Sequence, residues 1–172
     1  MSQYRRVYLP GASYFFTVVT YRRIPWFNTP DSITLFGAAL RHVMTTRPFE
    51  VEAIVVLPDH LHCLWRLPEG DGDFSGRWRE VKKRVSRGIA PHGNARRERR
   101  VWQRRFWEHL IRDEEDWRRH VDYIHFNPVK HGLAAHPAQW RWSSFRRAVA
   151  KGWYPADWGN AEPAAIAEML RE

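Results

Sequence analysis

Cysteine is almost absent: Cys63 stands alone among 172 residues, which excludes an internal disulfide framework and fits a reducing compartment. One thiol cannot build a structural zinc–thiolate site, so Cys63 reads as a small residue packed in a strand. No stretch approaches the roughly twenty consecutive apolar residues of a membrane span. The first residues carry Arg5 and Arg6 and lead into Pro10 and Gly11, not into a long apolar segment. No membrane partner is expected, and the location is expected to be cytoplasmic. Repeats, low-complexity tracts and long linkers are also missing. A chain of this length fits one domain over residues 1–172, with a C-terminal extension from about residue 152. Hydrophobic residues make up 44% and aromatic residues 15%, ten Trp among them, so a packed core is expected and wholesale disorder is not.

Acidic residues are in deficit, 19 against 28 Lys and Arg, and the imbalance is local. Between Arg77 and Arg105 stand twelve basic residues and only Glu80 and Glu98, a net +10 that leaves the remainder at −1. That ratio is too lopsided for salt-bridge lacing along a solvated helix. It suits a face that meets a polyanion, with nucleic acid as the best candidate.

The pattern along the chain alternates. Residues 14–21 are β-branched and aromatic, a first strand. Pro30, Asp31 and Ser32 offer a cap to a helix carrying Ile33, Leu35, Phe36, Ala39, Leu40 and Val43 at helical spacing and ending at Pro48. Residues 50–57 form an apolar run suited to a central strand. Pro58 and Asp59 turn the chain, and residues 60–67 make the next strand. A helix capped at 73–75 buries Trp78, Val81, Val85 and Ile89, and Pro91 to Asn94 break it. Residues 95–100 read as an exposed loop, and the aromatics of 101–112 favour a strand. Asp113 opens a helix, acidic in its first turn, that Pro128 stops or kinks. A short helix near 143–150 and a Trp- and Pro-bearing tail follow. The order predicts an α+β sandwich with helices packed on a small, mainly antiparallel sheet.

Two segments carry chemistry. In Leu57-Pro58-Asp59-His60-Leu61-His62 the imidazoles are two apart on a strand, so they share one face while Leu61 and Cys63 take the other. Such a pair can chelate Mg²⁺, Mn²⁺ or Zn²⁺ if a third ligand arrives from elsewhere. In Asp122-Tyr123-Ile124-His125-Phe126-Asn127-Pro128, Tyr123 and Asn127 are four apart and lie on one helix face. The Asn127 amide oxygen is a hard ligand suited to Mg²⁺ or Mn²⁺. A tyrosine beside a divalent metal can attack a phosphodiester, provided that positive charge nearby favours its ionised form; Lys130 and the basic helix are the candidate sources. The alternative for both residues is structural, with Tyr123 a buried aromatic and Asn127 a helix cap. His125 and His131 are further imidazoles whose direction the sequence does not fix. Lys82, Lys83, Arg84, Arg87, Arg104, Arg105 and Lys130 are candidates for the phosphate backbone. Trp78 and Trp102 are the aromatics within the basic stretch on which bases could stack, although a Trp on a helical stripe is more often core.

Taken with Tyr8-Leu9-Pro10-Gly11, Tyr14-Phe15-Phe16-Thr17, Trp102-Gln103-Arg104-Arg105-Phe106-Trp107-Glu108-His109, Val129-Lys130-His131-Gly132-Leu133 and Trp140-Arg141-Trp142-Ser143-Ser144-Phe145, these segments resemble the REP-associated tyrosine transposases. Those are single-tyrosine relatives of insertion-sequence transposases in the histidine–hydrophobic–histidine nuclease superfamily. The resemblance implies a ferredoxin-like fold, with His60 and His62 on a central strand binding Mg²⁺ or Mn²⁺. It implies Tyr123 as a nucleophile that forms a 5′-phosphotyrosine and frees a 3′-OH. Asn127 falls where related transposases place a polar third ligand, often Gln. The implied substrate is single-stranded DNA carrying palindromic hairpins, and both a monomer and a homodimer are compatible with it. Two other functions fit the residues: a catalytically silent nucleic-acid-binding protein, and a metal phosphodiesterase that uses water.

Overall fold

The computed structural model describes residues 6–89, 100–164 and 166. The elements are β1 (Ser13–Val19), α1 (Pro30–Thr46), β2 (Glu50–Val56), β3 (His60–Arg66), α2 (Phe74–Ile89), β4 (Trp107–Leu110), α3 (Glu114–Lys130) and α4 (Phe145–Ala150). The strands form one antiparallel sheet in the order β2-β3-β1-β4. Up to β4 this is the βαββαβ pattern of the ferredoxin-like sandwich, the α+β class that the sequence implies. The predicted break at Pro91 to Asn94 and most of the predicted loop at 95–100 lie outside the described residues.

Handedness decides which face is left for chemistry. The crossover from β1 to β2 and that from β3 to β4 run in opposite directions between oppositely pointing strands. A common right hand therefore puts α1 and α2 on the same face. Their apolar stripes close over Tyr14, Phe16, Val18, Leu61, Cys63 and Trp65 to make the larger core. Trp65 stacks on Trp78 at 4.2 Å inside it, and truncating either ring to Ala is expected to cost about 3–5 kcal/mol. A Cβ at Gly88 would come within 2.5 Å of the Leu35 side chain, so glycine sets how closely α2 approaches α1. The other face is covered by α3, whose Val121 and Ile124 pack on Phe15, Ala53, Val55 and Leu64.

Several local expectations change. Thr29, not the 30–32 segment, caps α1 by accepting from the Ser32 amide, and Pro30 occupies the first turn where its missing N–H costs nothing. Pro128 sits inside the last turn of α3, which continues to Lys130. So close to the helix end a proline forfeits one interior hydrogen bond and does not terminate the helix. Only Trp107–Leu110 of the 101–112 stretch is strand, with Trp102 bridging to Thr20 upstream. β2 is an edge strand and not a central one. Its edge is closed where Val56 N–H donates to Trp142 O and Ser144 N–H donates to Ile54 O, which explains an apolar run at a sheet margin. Arg77 does not belong to the basic surface: it is 1% exposed and donates to Arg47 O, Pro48 O, Asp73 O and Asp71. Beyond residue 152, Trp153, Tyr154 and Trp158 pack into the α3-side core. No helix among the described residues is long and apolar enough to cross a membrane.

Candidate active site

The register of β3 against β1 assembles the centre. His60 and His62 are buried on the α3 face with ring centroids 5.0 Å apart, and Leu61 and Cys63 point into the opposite core as their alternation predicts. His62 lies opposite Thr17, whose hydroxyl is 2.9 Å from His62 Nδ1. The neighbouring carboxylate of Asp59 accepts a hydrogen bond from His60 Nδ1–H at 2.6 Å. Asp59 is itself held by Arg23 at 3.0 Å, a residue in the left-handed region at φ 55, a backbone cost of order 1–3 kcal/mol for a non-glycine residue. With both Nδ1 atoms engaged, the two Nε2 atoms are left to face the site, the arrangement that outer partners give metal-binding histidines.

Electrostatics keep the imidazoles neutral. Burial lowers the pKa of His60 against the opposing pull of Asp59. Burial, then His60, His131 and Lys130, takes that of His62 well below its usual value. The Asp59 carboxyl, which burial alone would raise, is held below its ordinary value by His60 and Arg23. Neutral rings with free lone pairs are what a divalent cation requires.

Helix α3 and its C-cap residue His131 supply the rest at one-turn intervals. The Tyr123 ring stands 5.1 Å from His62 and the His131 ring 5.1 Å from His60. Asn127, one turn from each, is 1% exposed. Neither atom of its amide has a hydrogen-bond partner among the described residues, and neither has His62 Nε2. Buried polar atoms are rarely left so. Two of these atoms, His62 Nε2 and Asn127 Oδ1, have lone pairs that suit a hard divalent ion, which His60, His62 and the Asn127 oxygen could hold together. Lys130 Nζ lies 3.4 Å from the Tyr123 hydroxyl and 4.7 Å from its ring centre. His125 points away into the core, 2.8 Å from Ser144 Oγ.

A second group of potential ligands, His109, Asp116 and His120, has its ligand atoms within 4.8 Å of one another. Its chemistry differs. Asp116 Oδ2 already accepts from His109, from the Arg112 amide and from the Arg112 guanidinium. Burial acts in the other direction, yet those donors bring the Asp116 pKa down to about 2. A carboxylate so fully satisfied, beside a guanidinium, is a brace for α3 and β4 and a poor cation site.

The basic surface lies elsewhere. Lys82, Lys83, Arg84 and Arg87 ride on α2, across the sheet from Tyr123, so of the two expected sources of positive charge only Lys130 reaches the phenol. Lys82 Nζ donates to Gln103 O, and burial lowers its pKa to about 8. Arg6, Arg79, Lys82, Lys83 and Arg104 line a hollow of about 410 Å³ on that face. Arg105 faces the other way, into a cleft with Thr17 and Trp107. Trp78 is buried and Trp102 packs against the core with its N–H on Lys82 O. Among the described tryptophans the exposed one is Trp107, 52% accessible. Sequence reasoning passed over Thr17, Arg23 and Trp107, because their roles depend on register and backbone conformation; Asp59 gave a signal in its adjacency to His60.

The buried His-x-His pair under a tyrosine-bearing helix belongs to a chain that matches a class of transposases. The family described as "Transposase IS200 like" matches residues 9–114, a span that includes both histidines and stops short of Tyr123. The chain is 49% identical over 160 residues to the REP-associated tyrosine transposase of Escherichia coli strain K12, covering 93% of this chain and 92% of that protein. It is 43% identical over 167 residues to a putative REP-associated tyrosine transposase of Haemophilus influenzae strain Rd, covering 93% and 94%. A solved structure of a REP-associated tyrosine transposase bound to a REP hairpin superposes with a TM-score of 0.81 at 46% identity, covering 96% of each chain. The chain therefore belongs to the REP-associated tyrosine transposases, within the IS200-like family, and is a transposase-type enzyme.

Proposed function

We propose that this chain cleaves and rejoins single-stranded DNA beside palindromic hairpins, in the cytoplasm, through a covalent 5′-phosphotyrosine on Tyr123 and with Mg²⁺ or Mn²⁺. The observation that carries the reading is the Tyr123 phenol poised over the buried histidine pair, with Lys130 Nζ 3.4 Å from its oxygen. The Tyr123 oxygen forms a bond to phosphorus, the bond from phosphorus to the 3′ oxygen breaks, and that oxygen takes a proton to become a free 3′-OH. The phenol proton passes to solvent. Energy is conserved in the phosphotyrosyl link, so attack by a 3′-OH reverses the step and rejoins DNA. The ammonium of Lys130 stabilises negative charge as the phenol ionises. A divalent cation held by His60, His62 and Asn127 would polarise the scissile phosphate and offset charge growing on its oxygens. On the far face Lys82, Lys83, Arg84, Arg87 and Arg104 take duplex phosphates, contributing affinity without sequence choice. The hairpin bound by the structural relative supports the assignment of substrate.

The test is a labelled hairpin carrying single-stranded flanks, incubated with Mn²⁺ and resolved on a denaturing gel. The wild type is expected to form a protein–DNA adduct that Tyr123→Phe and a chelator both abolish. Cleavage that survives in Tyr123→Phe would overturn the tyrosine mechanism in favour of a water-using nuclease. Hairpin binding without cleavage across a wide panel would leave a binding protein.

A further inference from the structure

Beside the catalytic pair the sheet face stays open. An open cleft of about 350 Å³ runs from Thr17 and Val19 to the β4 edge, lined also by Gln103, Arg105, Phe106, Trp107 and Glu108. Thr17 is the common point: it pairs with His62 on one side and with Trp107 on the other. Cross-strand partners project to the same face, so His62, Thr17 and Trp107 form one row, with Trp107 about 10 Å across two strand spacings from the histidine. We infer that this cleft is a subsite for one unpaired nucleotide adjoining the scissile phosphate, its base stacked on Trp107 and a phosphate oxygen held by Arg105.

Three observations converge. Trp107 is a large aromatic left half-exposed on a face where Phe15, His60, His62 and Leu64 are buried. Its plane is fixed: the ring stacks along His109 at 5.9 Å and 14°, His109 stacks on His120 at 4.6 Å, and Asp116 ties both imidazoles. The edge of Phe15, 5.7 Å away, closes the inner side and leads to Tyr123 at 6.0 Å. A ring so braced stacks a base at little entropic cost, and every base presents a π-face. Arg105 is exposed and lines the same cleft, and among the described residues it makes no ion pair. It supplies the charge that a single strand's backbone demands. The brace also gives the satisfied His109, Asp116 and His120 group its use.

The subsite rests on the proposed strand-cleaving function, and the experiment separates the two. A hairpin with unpaired flanks carries 2-aminopurine at each unpaired position in turn and is titrated with Tyr123→Phe protein, which holds DNA without reacting. Quenching is expected to be strong at one position only, and to vanish with Trp107→Ala added. An abasic site at that position is expected to weaken binding about tenfold, within the range for one base–aromatic stack, and to have no further effect once Trp107 is removed. Trp107→Phe, which keeps a packed ring, should retain most of the affinity, and Arg105→Ala should weaken binding without shifting the quenched position. In the protein with Tyr123 intact, Trp107→Ala is expected to raise KM for adduct formation far more than it lowers kcat. Quenching spread evenly over the flank, or unchanged by Trp107→Ala, overturns the subsite while wild-type adduct formation leaves the function standing. Absence of the wild-type adduct overturns the function, and the quenching pattern still reports whether the cleft takes a base.

Discussion

Replacing Asn127 with Leu separates stability from metal binding in this protein. Asn127 is 1% exposed, and both amide atoms lack partners among the described residues. An unpaired buried polar group costs the fold about 1–3 kcal/mol. Leucine removes that cost, and a near-isosteric change of shape in a packed site takes back less than about 1.5 kcal/mol. The net expectation without metal is a stabilisation of roughly 1–2 kcal/mol. For a domain of this size each kcal/mol moves Tm by about 2–4 °C, so the variant should melt about 2–8 °C above wild type in chelator. Saturating metal reverses the order. At one hundred times its Kd a ligand stabilises by about 2.7 kcal/mol, and if Asn127 is the third ligand, as proposed, Asn127→Leu should lose most of that gain. The assay is thermal unfolding in EDTA and across a Mn²⁺ titration. A variant that melts lower than wild type in EDTA and still shows the full Mn²⁺ shift would refute the reasoning and make Asn127 a structural amide.

Three further outcomes are expected. Asp59→Ala frees the His60 ring to rotate and should weaken Mn²⁺ binding about 10- to 100-fold by calorimetry; unchanged affinity would remove Asp59 from the site. Lys83→Ala and Arg87→Ala should each flatten the slope of log K against log salt by about 0.9 on a hairpin stem without altering sequence preference, and an unchanged slope would take the DNA off that face. Buried His125 has a pKa of about 3 in the folded chain against the usual 6.5, chiefly through burial. Between those values the unfolded chain binds the proton and the folded chain does not, so stability is full above pH 6.5 and falls with pH by about 1.4 kcal/mol per unit down to about 3. Because buried His62 is lowered too, urea unfolding from pH 7 to 5 should show more than that slope in wild type, and a slope shallower by about 1.4 kcal/mol per unit in His125→Phe; parallel slopes would assign the acid sensitivity to other groups.

Period and polarity made the centre of the molecule legible. Alternation on β3 was enough to put His60 and His62 on one face and Leu61 with Cys63 on the other, because side-chain direction in a strand is local. The four-residue step from Tyr123 to Asn127 was legible for the same reason, despite Pro128. What stayed hidden depends on partners distant in sequence. Thr17 is one of many strand threonines until the β1–β3 register sets it against His62. Arg77 counts as one more positive charge until the end of α1 closes over it. The basic helix and the tyrosine, each legible alone, lie on opposite faces, since the hand of the crossovers decides that and composition does not.

That separation returns meaning to the edge strand. Residues 104–107 straddle the sheet margin. Arg104 lines the basic hollow beside α2, while Arg105 and Trp107 line the cleft beside Thr17. The opposite margin, β2, is closed by the 142–144 segment. A DNA whose stem lies on the basic face and whose single strand reaches Tyr123 therefore takes its short path over β4. Trp107 is the exposed aromatic on that path, the ring to which the proposed subsite gives the unpaired base next to the scissile phosphate.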